Sequence, residues 1–231
     1  MRAAISPEEM ASMIDHTLLK PEATEKDILR LCAEAVKYGL KAVCVNPARV
    51  GLAAGALAGS GVVVCSVAGF PLGACTTAVK AAEAAGAVRD GAGEVDMVIN
   101  IGLLKDRKYD LVLEDVKTVV DAVTALKPEA PVKVIIETGH LTSEEKETAC
   151  LLCTKAGARF IKTSTGMGPA GATVEDIELI RRTAPPGVGI KASGGIRTLD
   201  QALRMIRAGA TRIGTSSGVQ IMQELISGNN S

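Results

Sequence analysis

The feature that most constrains this chain is an alternation running almost its whole length: a helix opened by a capping residue, a glycine, then a short apolar run suited to a buried strand. Ser6 with Pro7 and Glu9 reads as an N-cap, an N1 proline and a capping-box acid. Thr24 with Asp27 opens the next helix, in which Ile28, Leu31, Cys32, Ala35 and Val36 recur at helical spacing until Gly39. A strand over Ala42 to Asn46 is stopped by Pro47. Further strands are expected at 62–67, 94–100, 132–137, 159–163, 188–192 and 211–214, with helices near 74–87, 108–126, 144–156, 173–183 and 198–208. A short strand at Ile14 brings the strands to eight.

Strands joined through helices run parallel and are covered by those helices. Eight such units in 231 residues predict one α/β domain over 1–231, a closed (β/α)8 TIM barrel of the usual ~250-residue size. An additional N-terminal helix precedes it, and a short disordered tail is expected near 228–231. The rival is an open doubly wound sheet, which would normally carry G-x-G-x-x-G at its first strand-to-helix turn. No such turn follows a strand here, and Gly91-Ala92-Gly93 precedes its strand as a helix-to-strand connection.

Composition narrows the partners. Lys plus Arg equals Asp plus Glu at 26 each, with no Trp, two Tyr and two Phe. That leaves neither the basic excess nor the stacking surface that nucleic-acid binding needs. The uncharged stretch 50–79 is broken by Gly59-Ser60-Gly61 and by Gly69-Phe70-Pro71-Leu72-Gly73. It reads as a helix and a buried parallel strand, not as a membrane span of about 20 apolar residues. The first nine residues lack the apolar core of a secretory signal. The six cysteines read as free thiols of a reducing compartment, which makes a cytoplasmic protein the expectation. Cys150 and Cys153 form a lone C-x-x-C inside a helical pattern, with no second pair at zinc spacing.

In a barrel the chemistry sits at the C-terminal ends of the strands. Three strands carry charged residues opposite their apolar faces: Asp96 between Val95 and Met97, Lys162 after Ile161, and Lys191 after Ile190. If the barrel closes, these side chains converge. The seventh strand leads into Ser193-Gly194-Gly195 and the eighth into Gly214-Thr215-Ser216-Ser217-Gly218. Glycine and hydroxyl loops at those two places suit a phosphate group.

A lysine with pKa ~10.4 is neutral in only about one molecule in 2,500 at pH 7, and bringing it to ~7 requires about 4.6 kcal/mol. A second ammonium ~4 Å away at an effective dielectric of ~20 supplies roughly 4 kcal/mol. That arrangement prepares an amine to attack a carbonyl, and Asp96 is the candidate to move protons for it. The alternative is that both lysines simply pair with interior carboxylates such as Asp96 and Glu137. No metal or other cofactor is expected, because an iminium is itself an electron sink, and the only imidazoles, His16 and His140, lie far apart in sequence. A proton-transfer isomerase and a non-catalytic sugar-phosphate-binding barrel remain the competing readings.

Several segments, in order from about residue 10 to 220, resemble the deoxyribose-phosphate aldolase family. They are Ile14-Asp15-His16-Thr17-Leu18-Leu19, Val43-Cys44-Val45-Asn46-Pro47, Val95-Asp96-Met97-Val98-Ile99-Asn100, Ile135-Ile136-Glu137-Thr138, Lys162-Thr163-Ser164-Thr165-Gly166 and Lys191-Ala192-Ser193-Gly194-Gly195-Ile196. The resemblance implies a class I aldolase that reversibly cleaves 2-deoxy-D-ribose 5-phosphate to D-glyceraldehyde 3-phosphate and acetaldehyde, in deoxynucleoside breakdown. It implies Lys162 as the Schiff-base lysine, Lys191 as the lysine that perturbs it and Asp96 as the acid–base group. It further implies phosphate or substrate contacts at Thr165, Gly166, Gly194, Gly195, Gly214, Ser216 and Ser217, Cys44 near the substrate, and Asp15 at the mouth of the site. Members commonly form homo-oligomers, dimers above all. Two departures stand out: Met167 occupies the place where some members carry a lysine, and the chain ends Gly228-Asn229-Asn230-Ser231, without the tyrosine found in others.

Overall fold

The computed structural model describes residues 5–228. Its strands are β1 (Ile14–Leu18), β2 (Ala42–Val45), β3 (Val63–Ala68), β4 (Glu94–Val98), β5 (Val132–Ile135), β6 (Phe160–Lys162), β7 (Gly189–Ser193) and β8 (Arg212–Thr215). All neighbours pair in parallel, and β8 closes on β1. The barrel is therefore closed, and the open-sheet rival falls.

Around it lie α1 (Pro7–Ala11), α2 (Glu25–Tyr38), α3 (Val50–Ala56), α4 (Thr77–Arg89), α5 (Ile101–Lys105), α6 (Tyr109–Thr124), α7 (Ser143–Lys155), α8 (Val174–Thr183), α9 (Leu199–Ala208) and α10 (Gly218–Gly228). Capping boxes open α1 at Ser6, α2 at Thr24, α7 at Thr142 and α9 at Thr198. Each satisfies backbone N–H groups that a helix start leaves without partners. Gly39 ends α2 in the left-handed conformation, φ 62°. Among the described residues no helix is long and apolar enough to cross a membrane. Of the expected tail, Gly228 closes α10, and residues 229–231 lie outside the described residues.

Strand ends differ from the sequence reading for local reasons. β4 stops at Val98 because Asn100 turns to cap α5, accepting the Leu103 N–H at 3.1 Å. β5 stops at Ile135, two residues short of the expected end, where Glu137 enters a left-handed conformation. Helix α10, not anticipated, packs beside α9, α1 and β1. Outward strand residues such as Val43, Val95, Met97, Val134, Ile161, Ile190 and Ile213 join the helices in one core. A second, small apolar group of Leu19, Cys44, Cys65 and Val67, with Phe70 against it, lines one side of the interior.

Candidate active site

Pairing register and strand alternation stack the inward residues in layers drawn from alternate strands, as barrel closure requires. The lowest layer holds Ala42, Glu94, Phe160 and Arg212, the next Asp15, Cys65, Lys133 and Lys191, and the third Cys44, Asp96, Lys162 and Gly214. Barrel interiors are usually filled by branched apolar side chains; this one is filled largely by charge. Glycine at 214 makes room for a neighbour, since a Cβ there would stand 2.9 Å from Lys191 Cε.

The charges form one connected network. Asp96 Oδ2 accepts from Lys162 Nζ and from Lys191 Nζ, each at 2.7 Å, while Asp96 Oδ1 accepts from Lys133 Nζ at 2.7 Å. Lys191 also donates to Asp15, whose other oxygen takes Arg212 Nη1 at 2.7 Å. Lys133 Nζ lies 2.7 Å from Glu94, and Arg212 donates to Glu94 at 3.1 and 3.3 Å with its guanidinium over the Phe160 ring. Formally these are four cations, Lys133, Lys162, Lys191 and Arg212, against three carboxylates, Asp15, Glu94 and Asp96. Lys162 touches one carboxylate; each of the other cations touches at least two.

Burial opposes ionisation throughout the network, and the partners outweigh it. Burial works against the Asp96 carboxylate, yet Lys133, Lys162 and Lys191 hold it well below the usual carboxylate range. Asp15 is lowered in the same way by Lys191, Lys133 and Arg212 against its burial. Lys191 is raised above the ordinary lysine value by Asp15 and Asp96, which overcome its desolvation, and Lys133 is raised chiefly by Asp96. The Cys65 thiol beside it lowers Cys44, whereas burial pushes Cys65 itself up. Two sets of three ligand atoms, from Cys44, Cys65 and Asp96 and from Asp15, Cys65 and Glu94, lie within 4.8 Å of one another. Their carboxylates already hold lysine or arginine, which a metal ion would have to displace.

A cavity of about 250 Å³ opens above this network at the C-terminal end of the barrel. Of the expected residues, Lys162, Thr165, Gly166, Gly194, Gly195, Gly214 and Ser216 line it, as does Met167. The amides of Gly166 and Gly195 have no hydrogen-bond acceptor among the described residues, so they are free to meet an anion. Ser217 is not part of the wall; its N–H is donated to Thr215 Oγ1 at 2.9 Å. Asp96, Lys191 and Cys44 lie fully buried below the cavity. Asp15 is also fully buried and sits one layer deeper than Asp96, so it is not at the mouth; its carboxylate is taken up by Lys191 and Arg212. Glu137 pairs with neither lysine and instead accepts the Thr165 N–H.

Sequence reasoning overlooked Lys133, Glu94, Cys65 and Arg212. Lys133 had a usable signal, since Pro131-Val132-Lys133-Val134-Ile135 flanks a lysine with apolar residues much as Lys162 is flanked. The two histidines stand apart from the network: His16 Nε2 meets Glu34 at 2.8 Å on the outer side of β1, and His140 is exposed.

Comparison with known proteins defines the class first: an aldolase built on a (β/α)8 barrel, a carbon–carbon lyase. The profile described as DeoC/LacD family aldolase matches residues 9–224, and the chain belongs to that family. A relative from Carboxydothermus hydrogenoformans named deoxyribose-phosphate aldolase is 58% identical over 224 residues, 97% of this chain and 98% of its own. The solved structure described as "QR15, an Aldolase" is 45% identical with a TM-score of 0.89, covering 96% of this chain and 98% of that one. A deoxyribose phosphate aldolase from Aeropyrum pernix, described as tetrameric, is 37% identical with a TM-score of 0.90 and coverage of 96% and 93%.

Proposed function

We propose that the chain acts as one domain that reversibly cleaves 2-deoxy-D-ribose 5-phosphate to D-glyceraldehyde 3-phosphate and acetaldehyde through an imine on Lys162, in deoxyribose phosphate catabolism in the cytoplasm. The observation that carries this reading is that Lys162, alone among the clustered lysines, lines the cavity, while sharing one carboxylate oxygen with the buried ammonium of Lys191. Four cations face three carboxylates, so release of one proton neutralises the network. Lys162, held by a single carboxylate and open to the cavity, is the amine we assign to attack on the carbonyl.

The neutral amine attacks C1 of the open-chain sugar, and the carbinolamine hydroxyl, protonated through Asp96, leaves as water to give the iminium. The iminium draws the electrons of the C2–C3 bond as the C3 hydroxyl gives up its proton, which releases glyceraldehyde 3-phosphate and leaves an enamine on Lys162. Delivery to C2 of the proton taken from the C3 hydroxyl turns the enamine into the iminium of acetaldehyde, and hydrolysis frees acetaldehyde and the Lys162 amine. Ionised Asp96 accepts and returns protons at the nitrogen and oxygen centres, and Lys191 supplies a fixed positive charge beside them. The free amides of Gly166 and Gly195 suit the phosphate.

The test is reductive trapping. With acetaldehyde and borohydride, peptide mapping should find an ethyl group on Lys162 that is absent from Lys162→Ala. A folded protein that gives no adduct refutes the imine mechanism and favours a binding or isomerase barrel.

A further inference from the structure

We infer that Glu137 is a positioning residue that sets the shape of the anion-binding loop after β6, an inference that rests on the phosphate-aldolase reading above. Glu137 follows β5 with φ 52°, a left-handed conformation shared among the described non-glycine residues only with Arg107. A glutamate adopts it at a cost and keeps it only where its surroundings hold it there.

Those surroundings are the loop itself. The Thr165 N–H donates to Glu137 Oε2 at 3.0 Å, and Oε1 is buried without a hydrogen-bond partner among the described residues. Gly168 lies directly against the carboxyl group: a Cβ there would stand 2.8 Å from both Cδ and Oε1 of Glu137. Two residues on from Glu137, Gly139 is equally close to the loop, where a Cβ would come within 3.0 Å of Ala170 Cβ. The segments 137–139 and 165–170 therefore interlock through the carboxylate.

The interlock decides which amides face the cavity. Glu137 draws the Thr165 N–H to itself, and Thr165 Oγ1 accepts the Met167 N–H at 3.0 Å. Gly166, between them, keeps its N–H free on the cavity wall. A carboxylate beside an anion loop opposes the ligand's charge. Its place there is explained by the hydrogen-bond acceptor it supplies, and that separates the consequences of removing the acceptor from those of removing the charge.

Steady-state kinetics on 2-deoxyribose 5-phosphate and on unphosphorylated 2-deoxyribose test this. Glu137→Ala should raise KM for the phosphorylated sugar about tenfold, equivalent to about 1.4 kcal/mol, with kcat and the unphosphorylated reaction unchanged. Glu137→Gln keeps an acceptor oxygen without the charge and should restore KM to the wild-type value or below. Unchanged KM in Glu137→Ala, or equal losses on both sugars, would overturn the inference. Should Glu137→Ala not fold, Gly168→Ala presses on the same carboxyl and should raise KM for the phosphorylated sugar alone; equal losses on both sugars would again count against it. Failure of the wild type to turn over either sugar would sink the aldolase reading instead. In that case calorimetric binding of inorganic phosphate reads the loop directly, with weakening in Glu137→Ala expected and equal affinity contrary.

Discussion

Lys162 and Lys191 donate to one and the same oxygen, Oδ2 of Asp96, each at 2.7 Å. Their nitrogens therefore stand no further apart than twice that bond length. Of the two interior carboxylates weighed as their partners, Asp96 takes both lysines and Glu137 neither, and the Asp96 carboxylate is what brings the ammonium groups together.

Asp96→Asn should separate this carboxylate's two tasks. As the group that moves protons it is expected to be worth about 10²–10⁴ in kcat. As the counter-charge of three buried ammonium groups, its neutralisation should cost about 3–5 kcal/mol of stability. Kinetics and urea unfolding on the same preparation measure both. A kcat within tenfold of wild type would remove Asp96 from the proton-transfer role.

Gly214 was expected to serve the phosphate through its backbone, but its missing side chain also matters, since Lys191 Cε and Ser193 Cβ would meet a Cβ there at 2.9 and 3.1 Å. Gly214→Ala should push Lys191 off Asp96, costing about 1–3 kcal/mol as overpacking does and lowering kcat more than it raises KM. A change confined to KM would assign Gly214 to the phosphate alone.

Lys133 shares its layer with Lys191, one below Lys162, and is fully buried. Lys133→Met leaves Asp96 and Glu94 each short of a partner and should destabilise the fold by about 3–5 kcal/mol. Because Lys133 does not line the cavity, borohydride trapping on Lys162 should survive in the folded fraction. Loss of the adduct at unchanged stability would place Lys133 among the reacting groups.

These cases show what the sequence could and could not tell. Alternation along a strand says whether a side chain faces the interior, and it correctly turned Asp96, Lys162 and Lys191 inward. It does not say at what height, because height depends on the register between strands, which is a long-range property. Hence Asp15 was expected at the mouth and lies one layer below Asp96, and Ser217 was grouped with Ser216 although only Ser216 reaches the cavity wall. Glu137 follows an apolar strand and reads as a lysine partner; the left-handed turn that sends it to Thr165 instead falls on the glutamate itself and not on Gly139 two residues on, so residue type does not announce it. Helix α10 carries Ile221, Met222 and Leu225 at helical spacing, so it was legible in the sequence.

The pH dependence of stability follows from the signs of the shifts. Asp15 and Asp96 are lowered in the fold, so their contribution is complete above the unfolded carboxylate value of ~3.9 and fades as pH falls towards their folded values. Lys133 and Lys191 are raised, so theirs is complete below ~10.4 and fades as pH rises beyond it. The buried thiols set an earlier alkaline limit. Burial raises Cys150 to about 12, so the unfolded chain, with thiols near ~8.5, releases that proton first and stability begins to fall there. At pH 10 Cys150 alone should cost about 2 kcal/mol relative to pH 7. Cys150→Ala should lose correspondingly less between those two values, as followed by urea unfolding with circular dichroism, the chain having no Trp to report by fluorescence. An identical alkaline loss in wild type and variant would show that the Cys150 proton is not what limits the fold above pH 8.5.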